Sequence, residues 1–190
     1  SGADGNALPA EYLPTNHGFD INIAGNSRGG PGGEGSFFDP YTMSNLEGRK
    51  AGEYLPDRLA DEAIDYMTAQ KELNNPFFLC LWNYTVHWPV EAPDYLYDKY
   101  APNGNPNLHQ KFQAMVEGMD AAIGKVLSSL DDLGLTDNTM VVFTSDNGPD
   151  KFTYARVQNY KHYSMGQWRG VKRDAWEGGN RTPFIIKWPG

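Results

Sequence analysis

The sequence contains only one cysteine, Cys80, so no disulfide can form within the chain. Cys80 lies in the apolar run FFLCLW, where we expect a small buried hydrophobic residue. Long apolar runs are also lacking: none reaches the roughly 20 residues of a membrane-spanning helix, so we expect no membrane partner. Basic residues are outnumbered, with 16 Lys and Arg against 24 Asp and Glu, a formal net charge of −8. This excess of acidic residues argues against a large surface that binds nucleic acids, but it is compatible with a local basic pocket.

The composition is that of a folded protein, with 39% hydrophobic and 13% aromatic residues over 190 positions. Residues 1–53 are rich in Gly, Pro and Asn and show no sustained helical or strand period, which predicts a loop-rich segment. Residues 54–190 carry regular apolar patterns, which predict an α/β core.

Two segments have the apolar period of amphipathic helices. A helix is predicted over residues 55–73, on apolar positions that include Leu59, Ala63 and Met67. The clearer pattern predicts a helix over residues 108–133, with Gly134 as its natural stop.

Three short apolar runs, residues 77–82, 139–144 and 184–188, predict buried strands. Because helices and strands alternate along the chain, we expect a mostly parallel sheet flanked by helices.

Polar residues follow the first two predicted strands. His87 comes after the first, and Asp146 and Asn147 come after the second. Ligands of such sheets bind beyond the carboxyl ends of the strands, so we expect these side chains at one rim. A carboxylate and an amide oxygen suit Ca²⁺ or Mg²⁺, although two ligands are too few for a complete site. The alternative is a hairpin turn at Asp-Asn-Gly, which the following FTYARV leaves open.

Lys172 is flanked by glycines and aromatic residues and precedes the third predicted strand. Its ammonium is a candidate ligand for an anionic substrate, and the alternative is a solvated surface lysine. Gly178 and Gly179 either belong to the same site or form only a turn that requires positive φ. The aromatic loop 149–168 is a candidate wall of the substrate pocket, and the alternative there is local packing.

These motifs occur in a recognisable order: HGFD, then HWP, the long helix, SDNG, and finally RGVK followed by EGG and WPG. From Gly18 to Gly190 the chain resembles the sulfatase family of the alkaline-phosphatase-like fold. The resemblance implies a partial sulfatase sandwich that hydrolyses a sulfate ester of a small molecule or carbohydrate. It implies that Asp146 and Asn147 are ligands of one Ca²⁺ ion. It also implies that His87 contacts the sulfate and its leaving oxygen, and that Lys172 binds a sulfate oxygen.

The sequence also departs from the family pattern. The Cys-x-Pro-Ser-Arg motif, whose cysteine becomes the formylglycine nucleophile, is absent, and Cys80 does not match it. The early aspartate pair and the Gly-Lys-Trp-His type stretch are absent as well. We therefore interpret residues 1–190 as an internal part of one sulfatase catalytic domain, with the nucleophile supplied elsewhere in a parent protein. The resemblance implies a secreted, periplasmic or lysosomal location.

Two other functions stay open. A phosphate or phosphonate ester hydrolase of the same fold would use two zinc ions, and Asp146-Asn147 lacks the neighbouring histidine that such a site usually has. A non-catalytic module that binds anions without a nucleophile is the second alternative.

Overall fold

The computed structural model describes residues 10–25, 30–31, 36–150 and 164–189. The chain divides into two compact units, the first made of residues 1–106 and 110–129, and the second of residues 107–109 and 130–190. The interpretation of residues 1–190 as part of one catalytic domain stays a prediction.

The two predicted helices are confirmed. Helix α1 spans Leu55–Glu72, and Pro56 occupies its first turn, where the missing N–H is not needed. A short helix α2 spans Asp94–Tyr100, and helix α3 spans Leu108–Asp132. Gly134 follows α3 with a φ of 66°, a conformation that glycine adopts without strain. None of the helices in the described part of the chain has the length and apolar character needed to cross a membrane.

The core of the first unit lies around α1 and the middle of α3. Gly118 of α3 allows a close approach to Tyr54 and Leu96, since an added Cβ would lie 3.1 Å from Tyr54 Cε1 and 3.3 Å from Leu96 Cδ1. The largest fully buried side chains of this unit are Phe37, Leu55, Met67, Met115, Pro31 and Pro56. The predicted apolar stripe of α3 is buried only in part, because Val116 and Leu127 remain 36% and 41% exposed.

Residues before α1 form loops, as predicted, with short 3-10 helices at Ala10–Tyr12 and Pro14–Asn16 in the described part. One carboxylate fixes part of this region to the loop before α2. Glu91 Oε2 accepts hydrogen bonds from Ser36 Oγ and from the backbone N–H of Phe37, both at 2.8 Å. Tyr54, the residue before α1, donates to the Glu91 carbonyl at 2.9 Å. Glu91 therefore connects both residues 36–37 and the start of α1 to the loop before α2.

The second unit contains a 3-10 helix at Thr136–Asn138, strand β1 at Val141–Thr144, a short helix α4 at Glu177–Asn180 and strand β2 at Phe184–Lys187. β1 and β2 pair antiparallel, with Val141 opposite Lys187 and Thr144 opposite Phe184. The expected parallel pairing is therefore wrong for the described strands. Alternation of helices and strands along a sequence does not by itself fix the direction of a strand pair.

The prediction of three buried strands also needs correction. Residues 77–82 form no strand, and Phe78 and Trp82 are 75% and 77% exposed. β1 and β2 exist, but Ile185 and Val142 are 60% and 45% exposed. An apolar strand becomes buried only where further strands or helices pack against it. The described sheet consists of β1 and β2 alone.

Candidate functional site

The loop after β1 carries the predicted metal ligands. Asp146 is exposed, and its Oδ1 accepts the backbone N–H of Asn147 at 2.9 Å. The half-buried Asn147 donates from Nδ2 to the Gly148 carbonyl at 2.8 Å, which leaves its Oδ1 as an acceptor. The two adjacent side chains thus offer a carboxylate oxygen and an amide oxygen.

This loop is fixed to the segment around α4 by close backbone contact. Gly148 N donates to Gly179 O at 2.9 Å. A Cβ on Gly148 would lie 1.9 Å from Gly178 O, and a Cβ on Gly178 would lie 2.2 Å from Gly170 O. No side chain fits at either position, so close approach explains both glycines.

The backbone conformation decides one of the open alternatives. Gly178 and Gly179 lie in α4 and do not have positive φ, so the positive-φ turn is wrong. Gly170 has the positive φ instead, at 93°. Within the described residues β1 pairs with β2, and FTYARV, the segment of the hairpin alternative, lies outside them at residues 152–157.

Lys172 lies on a loop that contacts the Asp-Asn-Gly loop. Its backbone N–H donates to the Pro149 carbonyl at 2.8 Å, two residues after Asn147. Its side chain is half-buried and makes no ion pair with any residue that the structure describes. The structure thus brings the loops of Asp146, Asn147 and Lys172 together, while their roles stay predictions.

His87 belongs to the first unit, in a turn closed by a 2.8 Å hydrogen bond from its N–H to the Tyr84 carbonyl. Its exposed ring places Nδ1 3.0 Å from the Trp88 carbonyl oxygen. A carbonyl only accepts, so this contact is a hydrogen bond when Nδ1 carries the proton, and Nε2 then remains for a ligand. The other three residues belong to the second unit, and the convergence of His87 with them stays a prediction.

The donor set after β1 fits a hard cation. Ca²⁺ binds carboxylate and amide oxygens, and Asp146 and Asn147 supply one of each. In the described ranges, no group of three or more His, Cys, Asp or Glu side chains is placed to hold a metal ion. A calcium site that includes these two residues therefore needs further oxygen ligands.

The sequence interpretation missed two arginines near Lys172. The guanidinium of Arg169 lies 4.1 Å from the ring centre of Trp176, and that of Arg181 lies 4.2 Å from the ring centre of Trp168. Of the predicted aromatic loop, residues 151–163 lie outside the described residues. The repeated Trp and Arg residues between positions 168 and 181 are the sequence feature that indicates the two tryptophan–arginine contacts.

Comparison with known proteins identifies the family to which the chain is similar. A family model described as Sulfatase matches residues 10–190. An N-acetylgalactosamine-6-O-sulfatase of Bacteroides thetaiotaomicron is 35% identical over 142 residues, which are 72% of this chain and 26% of that protein. A steryl-sulfatase of Rattus norvegicus is 37% identical over 137 residues, 72% of this chain and 22% of that protein.

Solved structures show the corresponding fold. The crystal structure of Ps i-CgsB in complex with k-i-k-neocarrahexaose matches with a TM-score of 0.63 and 28% identity, covering 77% of this chain and 30% of that chain. The expected α/β, alkaline-phosphatase-like fold class is therefore confirmed. The chain spans about a quarter of the length of the two curated relatives named above. Together, the matched motifs, the fold and the family model show that the chain belongs to the sulfatase family.

Proposed function

We propose that the parent protein of this chain is a sulfuric ester hydrolase that cleaves a sulfate ester with the help of one Ca²⁺ ion. The observation that carries the proposal is the junction of two loops in the second unit. Gly148 N donates to Gly179 O at 2.9 Å, and Lys172 N donates to Pro149 O at 2.8 Å. The oxygen donors of Asp146 and Asn147 therefore lie on a loop that adjoins the loop of Lys172, which has no ion pair in the described ranges. A site that binds a cation and an anion together requires such an arrangement.

Asp146 and Asn147 would hold part of the calcium coordination shell through the carboxylate and amide oxygens. A bound calcium ion supplies positive charge that stabilises the non-bridging oxygens of the sulfate. Lys172 binds one of those oxygens through its ammonium, which stabilises the negative charge that grows there in the transition state.

His87 assists the departure of the alcohol. Its Nδ1 is held by the Trp88 carbonyl at 3.0 Å, so Nε2 is the nitrogen that contacts the substrate. As an imidazolium, it donates the Nε2 proton to the leaving oxygen. The 190 residues contain no Cys-x-Pro-Ser-Arg motif, so a formylglycine nucleophile is expected from elsewhere in the parent protein.

The proposed substrate is a sulfated small molecule or carbohydrate. The names of two relatives, an N-acetylgalactosamine-6-O-sulfatase and a steryl-sulfatase, cover both classes, and the Ps i-CgsB structure holds an oligosaccharide. A secreted, periplasmic or lysosomal location is part of the proposal, because the family resemblance implies it.

Hydrolysis of 4-nitrophenyl sulfate by the parent protein tests this function. Replacing His87 or Lys172 by Ala should lower kcat/KM by roughly a hundredfold, because each removes a contact to developing charge. Lys187→Ala is the matched control, since Lys187 is an exposed lysine of β2. A chelator should abolish the activity, and added calcium should restore it.

The same assay separates the alternatives. Faster turnover of 4-nitrophenyl phosphate, restored by zinc and not by calcium, would favour the phosphate ester hydrolase. Sulfate binding by calorimetry without turnover of either ester would favour the non-catalytic anion-binding module. Either result would overturn the proposed sulfatase activity.

A further inference from the structure

Two tryptophan–arginine stacks lie within 14 positions of each other around Lys172, in the second unit. Arg169 covers Trp176 at 4.1 Å, and Arg181 covers Trp168 at 4.2 Å. Both rings remain accessible, with Trp176 52% and Trp168 36% exposed. Each stack therefore combines a partly exposed aromatic ring with a guanidinium that covers one of its faces.

Backbone hydrogen bonds hold this region in place. Gly178 N donates to Arg169 O at 2.8 Å, and Gly179 N donates to Trp176 O at 2.9 Å. Asp174 Oδ2 accepts the N–H of Val171 at 3.0 Å. A surface that is already ordered loses less conformational entropy when it binds a ligand.

The charge of the region differs from that of the whole chain. Residues 168–181, which span the two stacks, carry four basic residues, Arg169, Lys172, Arg173 and Arg181, against two acidic residues, Asp174 and Glu177, which gives +2 in a chain of −8. Arg181 pairs with Glu177 at 3.1 Å, whereas Arg169 makes no ion pair with the residues that the structure describes. This local positive charge favours an anionic ligand.

We propose that Arg169 and Trp176, together with Arg181 and Trp168, form a binding surface for a further sulfated or carboxylated sugar unit of the substrate. Sugar rings pack their C–H faces on exposed aromatic rings, and a guanidinium binds a sulfate or carboxylate with two parallel hydrogen bonds. The inference rests on the proposed sulfatase function and deepens it, because it selects an anionic oligosaccharide among the possible sulfate esters. We name these four residues the Trp–Arg surface.

Two measurements on the parent protein test the Trp–Arg surface. The first compares kcat/KM for a sulfated N-acetylgalactosamine disaccharide with kcat/KM for 4-nitrophenyl sulfate, which has no second sugar. The ratio should fall roughly tenfold in Trp176→Ala and in Arg169→Gln. The second is the Kd of the same disaccharide by calorimetry, which needs no turnover and should weaken by a similar factor.

Matched controls come from the same unit. Trp188→Ala removes a tryptophan that is 73% exposed and lies outside the two stacks, and Lys187→Gln removes an exposed charge. Both should leave the ratio and the Kd unchanged. Trp176→Phe keeps an aromatic ring, so it should retain more disaccharide affinity than Trp176→Ala.

The outcomes distinguish this inference from the proposed function. Equal losses for both substrates, or no loss in either variant, would overturn the Trp–Arg surface while leaving the sulfatase activity standing. A wild-type protein that hydrolyses neither ester would overturn the sulfatase activity. If the wild-type protein hydrolyses neither ester, the disaccharide Kd decides the Trp–Arg surface. A Kd that is the same in Trp176→Ala and Arg169→Gln as in the wild type would overturn the surface, and a tenfold weaker Kd would support it as a site for an anionic sugar.

Discussion

At the level of single residues, backbone contacts around Gly148 control the position of the two proposed calcium ligands. The carbonyl oxygen of Gly178 occupies the place where a Cβ of residue 148 would lie. Asp146 and Asn147 immediately precede this contact, so any shift of Gly148 moves both oxygen donors. Packing therefore explains the glycine of the Asp-Asn-Gly motif, and calcium binding is the proposed role of its first two residues.

Gly148→Ala should destabilise the protein by about 2 kcal/mol or more, because a Cβ would lie 1.9 Å from Gly178 O and the backbone must move. Denaturant unfolding measures the loss, and calcium titration should show weaker binding. Gly124→Ala is the matched control, since a Cβ on this glycine of α3 would meet no neighbouring residue within 4 Å. There Ala should stabilise by about 0.5–1 kcal/mol through helix propensity. An unaltered stability in Gly148→Ala would contradict the close contact.

At the level of elements, α1 is joined to the preceding loop by a buried arginine. Arg58 lies 3.3 Å from Glu53 Oε1 and donates to the Glu47 carbonyl at 3.3 Å, and it also pairs with Glu62. Its side chain is 7% exposed, whereas that of Arg49, which pairs with the same Glu62, is 46% exposed. The two arginines thus share a partner but differ in burial.

Arg58→Met should cost about 3 kcal/mol of unfolding free energy, because it leaves the poorly exposed Glu53 carboxylate without its cation. Arg49→Met should cost less than about 1 kcal/mol, since water screens and replaces an exposed ion pair. Urea unfolding of both variants measures the difference. Equal costs would show that burial of Arg58 does not determine its contribution.

A second ion cluster joins α2 to α3. Lys99 Nζ lies 2.6 Å from Glu117 Oε1, and Tyr100 donates to Glu117 Oε2 at 2.6 Å. The hydrogen bond from Lys99, followed by that from Tyr100, lowers the pKa of Glu117 below its ordinary value of 4.5. A carboxyl whose pKa is lowered by folding adds stability above its ordinary pKa, and the effect disappears as the pH falls through the lowered value.

Glu117→Gln should therefore lower Tm at neutral pH and have no effect once Glu117 is protonated in acid. Melting curves of both proteins between about pH 3 and pH 7 measure this convergence. Asp120→Asn, an exposed position on the same helix, is the control and should show no such trend. A Tm difference that persists unchanged at low pH would point to packing and not to charge.

At the scale of the whole molecule, the chain belongs to the sulfatase family, and its 190 residues contain no Cys-x-Pro-Ser-Arg motif, the proposed source of the nucleophile. Asp146 and Asn147 would provide only two of the oxygen ligands of the proposed calcium site, and in the described residues no cluster completes them. The chain thus carries the proposed site residues without the proposed nucleophile.

The 190-residue chain alone should show no turnover of 4-nitrophenyl sulfate. It should bind calcium weakly, with a Kd in the millimolar range or above, because a tight site needs about six to eight oxygen ligands. A stopped assay and calorimetry measure the two quantities. Robust hydrolysis by the isolated chain would disprove the assignment of the nucleophile to another part of the parent protein.

The helices were predictable because their determinants are local. The apolar period of α1 and α3 and the stop at Gly134 depend on neighbours a few residues apart. Strand burial was not predictable in this way: residues 77–82 have the composition of a buried strand, yet Trp82 is 77% exposed. Burial of a strand requires partners that are distant in the sequence, and an apolar run does not specify them.

The sequence by itself determined the family, the two long helices and the identity of Asp146, Asn147, Lys172 and His87 as candidates, because motif order and helical period are written in consecutive residues. Only the tertiary structure decided that β1 and β2 run antiparallel and that Gly148 packs on Gly178. It alone also showed Arg169 and Arg181 stacked on tryptophans. These features arise from contacts between residues up to 46 positions apart, as in the pair Val141 and Lys187, and such contacts depend on how the whole backbone packs.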